Sequence, residues 1–155
     1  MIQRPQRAEP KASIGQVVVA YIGFATLGLS VGLRGVAWPS IRVSFDLPLG
    51  AIGVFLTAAT AGSILSSFNG GLIASKIGVG PLLAASGVVT ALGLLGSAAA
   101  PAWWVMVLGG LMSGIGSGAL HVGLNAHFTA NHGAGVINWL HACFGIGATL
   151  GPLIM

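Results

Sequence analysis

Apolar side chains fill five long stretches of the chain, and short breaks containing proline, glycine or polar residues separate them. The stretches cover residues 14–36, 49–75, 79–99, 103–128 and 134–155. Each is about as long as the ~20 apolar residues that a helix needs to cross a bilayer. Since hydrocarbon leaves backbone polar groups without partners, such stretches form helices. The pattern predicts an all-α membrane protein of about five transmembrane helices in residues 13–155, after a polar tail at residues 1–12.

The composition agrees with lipid as the solvent of these helices. Only 5% of the 155 residues are charged, whereas a soluble domain has about 25%. The net charge of +4 comes mostly from residues in or beside the polar segments. This distribution is typical of membrane topology and not of a phosphate-binding surface, so no nucleic acid is expected as a partner.

The basic residues also predict an orientation. The tail carries Arg4, Arg7 and Lys11. The break after the second span carries Lys76, whereas in the first break Arg42 is balanced by Asp46. Because cytoplasmic loops are enriched in lysine and arginine, we expect a multi-pass protein of the cell membrane, of the bacterial inner-membrane type, with a cytoplasmic N-terminus.

Glycines recur at four-residue spacing in three of the spans. They are Gly28 and Gly32, then Gly110, Gly114 and Gly118, then Gly147 and Gly151. This spacing places small residues on one face of a helix, which predicts close helix–helix contact in lipid.

Two motifs carry a resemblance to a known family. The segment VAWPSIRVSFDLPLGAIGVFLTAATAGSILSSFNGGLIASKIG ends in a loop that includes Gly71, Lys76 and Gly78, and GATLGP in the fifth span holds Gly147, Gly151 and Pro152. In these residues the chain resembles the N-terminal part of a major facilitator superfamily transporter. The combination of GLNAHF with INWLHACFGIGATLGPLI is most similar to the sugar-transporting branch that includes fucose permease. The resemblance implies alternating-access transport, with the six motif residues serving the conformational change.

The chain departs from the superfamily pattern in its loop motif and in its length. Ser75 occupies the position of the motif's acidic residue, and Val79 and Gly80 those of its trailing basic residues, which puts the cytoplasmic latch in doubt. The superfamily has twelve helices in two halves, so about five helices predict a truncated version of the N-terminal half. A fragment, a shortened product and an oligomer that builds two walls all stay open.

Polar residues in the fourth and fifth spans are the first candidates for a binding site. His121 and Asn125 are four residues apart and share a helix face, and Asn138 and His141 are three apart and share another. Because the two spans run antiparallel, the two histidines are expected at similar depth. Polar side chains at such depth usually face the protein interior. They are therefore predicted to bind solute, although hydrogen bonding between helices would explain them equally.

Arg34 and Trp139 complete the predicted substrate-binding set. Arg34 could contact solute from an outer vestibule or extend to the membrane interface. Trp139 could stack on a sugar ring or anchor the helix at the interface. The serines of the second span are interpreted as helix-packing residues. In the sugar/proton symporters that the chain resembles, a carboxylate often lies on the first or fourth helix. Neither span has one here, so the resemblance implies that a proton-coupled cycle would depend on a histidine.

Other chemistries have little support. The histidine spacings fit no familiar metal site, the single Cys143 provides no disulfide, and no cofactor is expected. No nucleophile–base set or pair of carboxylates indicates an enzyme.

The sequence leaves two functions. In the first, the chain is part of a secondary-active transporter for a small polar solute, with a sugar as one candidate and proton coupling open. In the second, it is a non-transporting subunit that docks into a larger complex. Besides lipid and solute, the expected partner is a second half-transporter, another copy or another membrane subunit.

Overall fold

The computed structural model describes residues 14–131 and 134–154, which form five α-helices. They are α1 (Ile14–Ser44), α2 (Ala51–Ile77), α3 (Val79–Ala98), α4 (Trp103–Asn131) and α5 (Ala134–Ile154). All five are long and apolar enough to cross a membrane, which confirms the predicted all-α, multi-pass character. The predicted tail at residues 1–12, the loop residue His132 and the last residue of the fifth span, Met155, lie outside the described residues.

The first helix extends further than the predicted span, which stopped at residue 36. It continues through Pro39 to Ser44. The Leu47 N–H then donates to the Arg42 carbonyl oxygen at 3.0 Å, and Asp46 adopts a φ of 51°. Falling hydropathy marks where a helix leaves hydrocarbon and not where its backbone hydrogen bonds end. Arg34 consequently lies well before the end of α1, whereas the predicted span, which ends at residue 36, places it near that end.

Helix α4 packs directly against both α2 and α3. A Cβ atom on Gly114 would overlap the Ala59 carbonyl oxygen of α2. One on Gly116 would overlap the Thr90 side chain of α3. The glycines of α4 thus allow the backbones of two neighbouring helices to approach on two different faces.

Helix α1 packs against α5 through glycines contributed by both helices. A Cβ on Gly28 would overlap the Phe144 carbonyl oxygen, and one on Gly147 would overlap the Ala25 carbonyl oxygen. These contacts, together with those of α4, confirm the predicted role of the four-residue glycine repeats in close helix packing.

A second group consists of α2, α3 and α4 and is called the α2–α4 group. The α1–α5 pair meets this group through side chains of α1, α4 and α5. At the end where α1 begins, Ala20 and Phe24 form an apolar cluster with Leu124, Phe128 and Leu140. Further along α1, the two groups separate and leave a cavity.

Candidate functional site

A cavity of about 330 Å³ lies between α1 and the α2–α4 group. Apolar side chains of α1 and α5 form part of its wall, and polar side chains from four helices form the rest. The polar residues are Ser30, Arg34, Ser63, Ser67, Thr90, Ser113, Ser117 and His121. In a chain with so few charged residues, this is a pronounced concentration of polar groups.

The cavity lies halfway along the helices. Ser30, Ser63, Thr90 and Ser117 are each within about two residues of the middle of their own helix. At a rise of about 1.5 Å per residue, these side chains are displaced by about 3 Å or less along the helix from its midpoint. For helices that cross a bilayer, the cavity therefore lies near the midplane.

One face of α4 supplies a row of polar residues to the cavity. Ser113, Ser117 and His121 are spaced four residues apart and all line it. The neighbouring faces of α4 are occupied, since Gly114 contacts α2 and Gly116 contacts α3. The row of hydroxyls and imidazole is thereby directed towards α1.

The Arg34 guanidinium lies at one end of this row. Its Nη2–H donates to the Ser113 Oγ at 3.2 Å, and its Cζ is 5.5 Å from the centre of the Phe55 ring. Ser113 is only 1% exposed, and its hydroxyl donates to the Gly110 carbonyl oxygen at 2.9 Å. Arg34 thus points between the helices and not towards the membrane interface.

His121 lies at the opposite end of the row and is held by aromatic rings. The centre of its ring is 4.8 Å from that of Phe24 and 5.7 Å from that of Phe144. His141 also contacts Phe24, with ring centres 5.9 Å apart. The two histidines predicted at similar depth therefore share one aromatic neighbour, although His141 is exposed and does not line the cavity.

Besides His141, three more of the predicted substrate-binding residues lie outside the lining of the central cavity. Asn138 and Trp139 are exposed on α5, Trp139 to 63%. The Asn125 Oδ1 is buried and has no hydrogen-bond partner among the described residues. None of the three belongs to the lining of the central cavity, which includes only His121 and Arg34 of the predicted set.

The residues of the two predicted conformational motifs also separate into groups. Gly71 and Lys76 are exposed near the end of α2, and Gly78 links α2 to α3 with a φ of 87°. Gly147 and Gly151 pack on α1, and Pro152 follows them in the last turn of α5.

The hydroxyls of α1, α3 and α4 are functional candidates that the sequence interpretation missed. Ser30, Thr90, Ser113 and Ser117 were not singled out, although Ser113, Ser117 and His121 show a four-residue repeat that could have revealed them. The serines interpreted as packing residues have a mixed role. The Ser67 hydroxyl points to the Gly118 carbonyl oxygen at 3.5 Å and also lines the cavity.

Two larger cavities flank the central one. At the end where α1 begins, a mostly apolar cavity of about 590 Å³ lies between α1, α3 and α4. Towards the other end, a cavity of about 610 Å³ shares Ser30 and Arg34 with the central one.

No group of three or more metal-ligating side chains occurs in residues 14–131 and 134–154. Comparison with protein-family models, characterised proteins and solved structures finds no match to this chain.

Proposed function

We propose that this chain is part of a secondary-active transporter that binds a small polar solute, with a sugar as one candidate, and works by alternating access. The observation that carries the proposal is the polar cavity halfway along five helices of membrane-spanning length. Secondary transporters bind substrate near the bilayer midplane. The resemblance of the sequence to the major facilitator superfamily supports the same function.

The cost of polar groups in a membrane favours a binding role for the cavity. Side chains such as Arg34 and His121 are expensive at membrane depth and commonly mark solute or ion pathways. A volume of about 330 Å³ is at the lower end of the range of roughly 300–1,000 Å³ typical of ligand sites. The solute should therefore be small.

The arrangement of the helices also suits a change of access. The α1–α5 pair and the α2–α4 group are each closely packed through glycines, but they meet across the cavity through side chains. Two rigid groups with a deformable junction could rock about a central site. If the cycle is coupled to protons, His121 is the carrier that this site provides.

A protein partner on α5 is part of the proposal. Asn138 and His141 are exposed on a helix of membrane-spanning length, where polar side chains normally face protein or water. A second half-transporter, another copy of this chain or another membrane subunit could cover them. A non-transporting docking subunit would present the same face, but the central cavity would then have no solute to bind.

Filling the cavity tests the transport function. Ser117→Trp places a large side chain at its centre, whereas Leu108→Trp on the same helix adds a ring at a position that is 60% exposed. We expect Ser117→Trp to abolish uptake in proteoliposomes supplied with a panel of labelled sugars, polyols and sugar acids. Leu108→Trp should retain it. Equal uptake by the two variants would refute a transport role. So would the absence of uptake by the unmodified protein, tested both alone and with its co-purified partners.

Two alanine variants examine the polar residues of α4 in the same assay. His121→Ala should lower uptake because the imidazole lines the cavity, while Asn125→Ala should retain most of it because the amide lies outside the lining. Membrane insertion should be unchanged in both. Normal uptake by His121→Ala would limit the role of this imidazole to packing against Phe24.

A further inference from the structure

Arg34 carries a charge that the membrane-spanning part of the chain does not balance. The sequence contains two acidic residues, Glu9 in the tail and Asp46 in the turn after α1. None of the five helices contains a carboxylate side chain. Charged side chains at this depth normally pair with one another or with backbone carbonyl groups. The cavity therefore has a permanent positive charge that a bound anion could neutralise.

The guanidinium also retains hydrogen-bonding capacity. Arginine has five N–H donors in a fixed planar arrangement. Within residues 14–131 and 134–154, Arg34 makes one hydrogen bond, to Ser113, and its Cζ lies over the Phe55 ring. The remaining donors suit a carboxylate, which arginine binds through two parallel hydrogen bonds.

The rest of the cavity is suited to hydroxyl groups. Ser117 donates its hydroxyl proton to the Gly114 carbonyl oxygen at 3.1 Å, so its oxygen remains an acceptor towards the cavity. His121 follows Ser113 by eight positions, which is a rise of about 12 Å along α4. This length accommodates a solute with its charge at Arg34 and a chain of hydroxyls beside Ser117.

The cavity that shares Arg34 provides an approach for such a solute. It holds about 610 Å³ towards the end of α1 and is lined there by Ser40 and Ser44. Because Ser30 and Arg34 line both cavities, an anion entering from that end would meet the guanidinium at the junction.

We infer that the solute is a small hydroxylated monocarboxylate, such as a sugar acid, whose carboxylate binds Arg34 and whose hydroxyls contact the serine row of α4. This inference rests on the proposed transport function and specifies its substrate class. A single charge is favoured because Arg34 is the one arginine or lysine that lines the cavity in the described part of the chain. A doubly charged phosphate ester would leave one charge unbalanced.

Binding of gluconate tests the inference, with sorbitol as the matched neutral probe because a hydroxymethyl group replaces the carboxylate. Affinities are measured by calorimetry on the full chain, with its co-purified partners, in a non-ionic detergent without a sugar headgroup. We expect gluconate to bind and sorbitol to bind at least about tenfold more weakly, since hydrogen bonds to charged groups contribute more than neutral ones.

Variants assign the effect to Arg34. Arg34→Gln should weaken gluconate binding by about 10- to 100-fold, and Arg34→Lys should retain part of it because the charge remains. Arg42→Gln is the matched control, since Arg42 is on the same helix but is exposed and donates to the Leu47 carbonyl oxygen. Circular dichroism and thermal unfolding establish that each variant is folded.

The other outcomes overturn the inference in distinguishable ways. Equal binding of gluconate and sorbitol, unaffected by Arg34→Gln, would leave a polar solute site but refute an anionic substrate. No binding of either probe, with uptake of a neutral solute in proteoliposomes, would refute the substrate class alone. No binding and no uptake of any solute would refute the transport function as well. A phospholipid retained in native mass spectra and lost in Arg34→Gln would identify a lipid headgroup as the anion.

Discussion

At the scale of single residues, Gly78 has the most demanding backbone conformation among the glycines of the described chain. It alone connects α2 to α3, with a φ of 87°, and its N–H donates to the Ala74 carbonyl oxygen at 2.9 Å. With a ψ of 162°, Gly78 lies in a backbone region that is essentially restricted to glycine. Gly78→Ala should therefore destabilise the protein by about 1–3 kcal/mol, measured as the free energy of unfolding in mixed detergent micelles.

Gly80 provides the control for that substitution. It lies two residues further, in the first turn of α3, with no atom within 4 Å of a built Cβ. Gly80→Ala should be neutral or slightly stabilising, because alanine favours the helix by about 1 kcal/mol. Equal losses from both substitutions would show that the conformation at Gly78 is not the cause.

For Arg34 and His121, the sequence predicts the general surroundings of the side chain but not its contact partners. A polar side chain within an apolar stretch is expected to face protein, and both residues do line the cavity. What could not be predicted is the partner of each. The bond from Arg34 to Ser113 joins residues 79 positions apart, and apolar periodicity does not specify which helices are neighbours.

At the scale of helices, the glycine repeats predicted close packing but not the choice of partner. Three successive faces of α4 meet different surroundings: Gly114 contacts α2, Gly116 contacts α3 and Ser117 faces the cavity. The four-residue spacing shows only that a face consists of small residues. Which neighbour fills that face depends on the shape of the whole bundle.

The α1–α5 contact can be tested with two glycines of the same helix. Gly147→Leu places a side chain against the Ala25 backbone, whereas Gly145→Leu places one in open space on the exposed side of α5. Overpacking costs about 1–3 kcal/mol, so Gly147→Leu should lower the unfolding midpoint in detergent clearly. Gly145→Leu should leave it nearly unchanged.

The variants Gly147→Leu and Gly145→Leu allow a second measurement of whether α5 separates from α1. Cys143 is half-buried on α5, and its rate of alkylation should rise in Gly147→Leu as α5 separates from α1. Equal midpoints and equal alkylation rates in both variants would contradict the tight glycine contact between the two helices.

At the scale of the whole molecule, the sequence predicted five membrane-spanning helices because lipid demands length and apolar character. The helix ends were less predictable, as the extension of α1 to Ser44 shows. The division into an α1–α5 pair and an α2–α4 group was not predictable, since each helix is apolar on most sides. That division creates the cavity, so the candidate site is a property of the bundle and not of any one helix.

The alternation of five spanning helices leads to a prediction about sidedness. The α2–α3 and α3–α4 turns must lie on opposite sides of the membrane if α3 crosses it. Lys76 and Ala102, both exposed, mark these turns. From the enrichment of lysine and arginine on the cytoplasmic side, we expect Lys76 inside and Ala102 outside. In a Cys143→Ala background, Ala102→Cys should react with an impermeant maleimide in intact cells, and Lys76→Cys only after permeabilisation.

A control is needed because Lys76→Cys also removes a positive charge. Ser75→Cys is the matched variant, since Ser75 is exposed beside Lys76 and its substitution keeps the lysine. The reversed pattern would place the N-terminal side of α1 outside, and labelling of both positions in intact cells would mean that α3 does not cross the membrane.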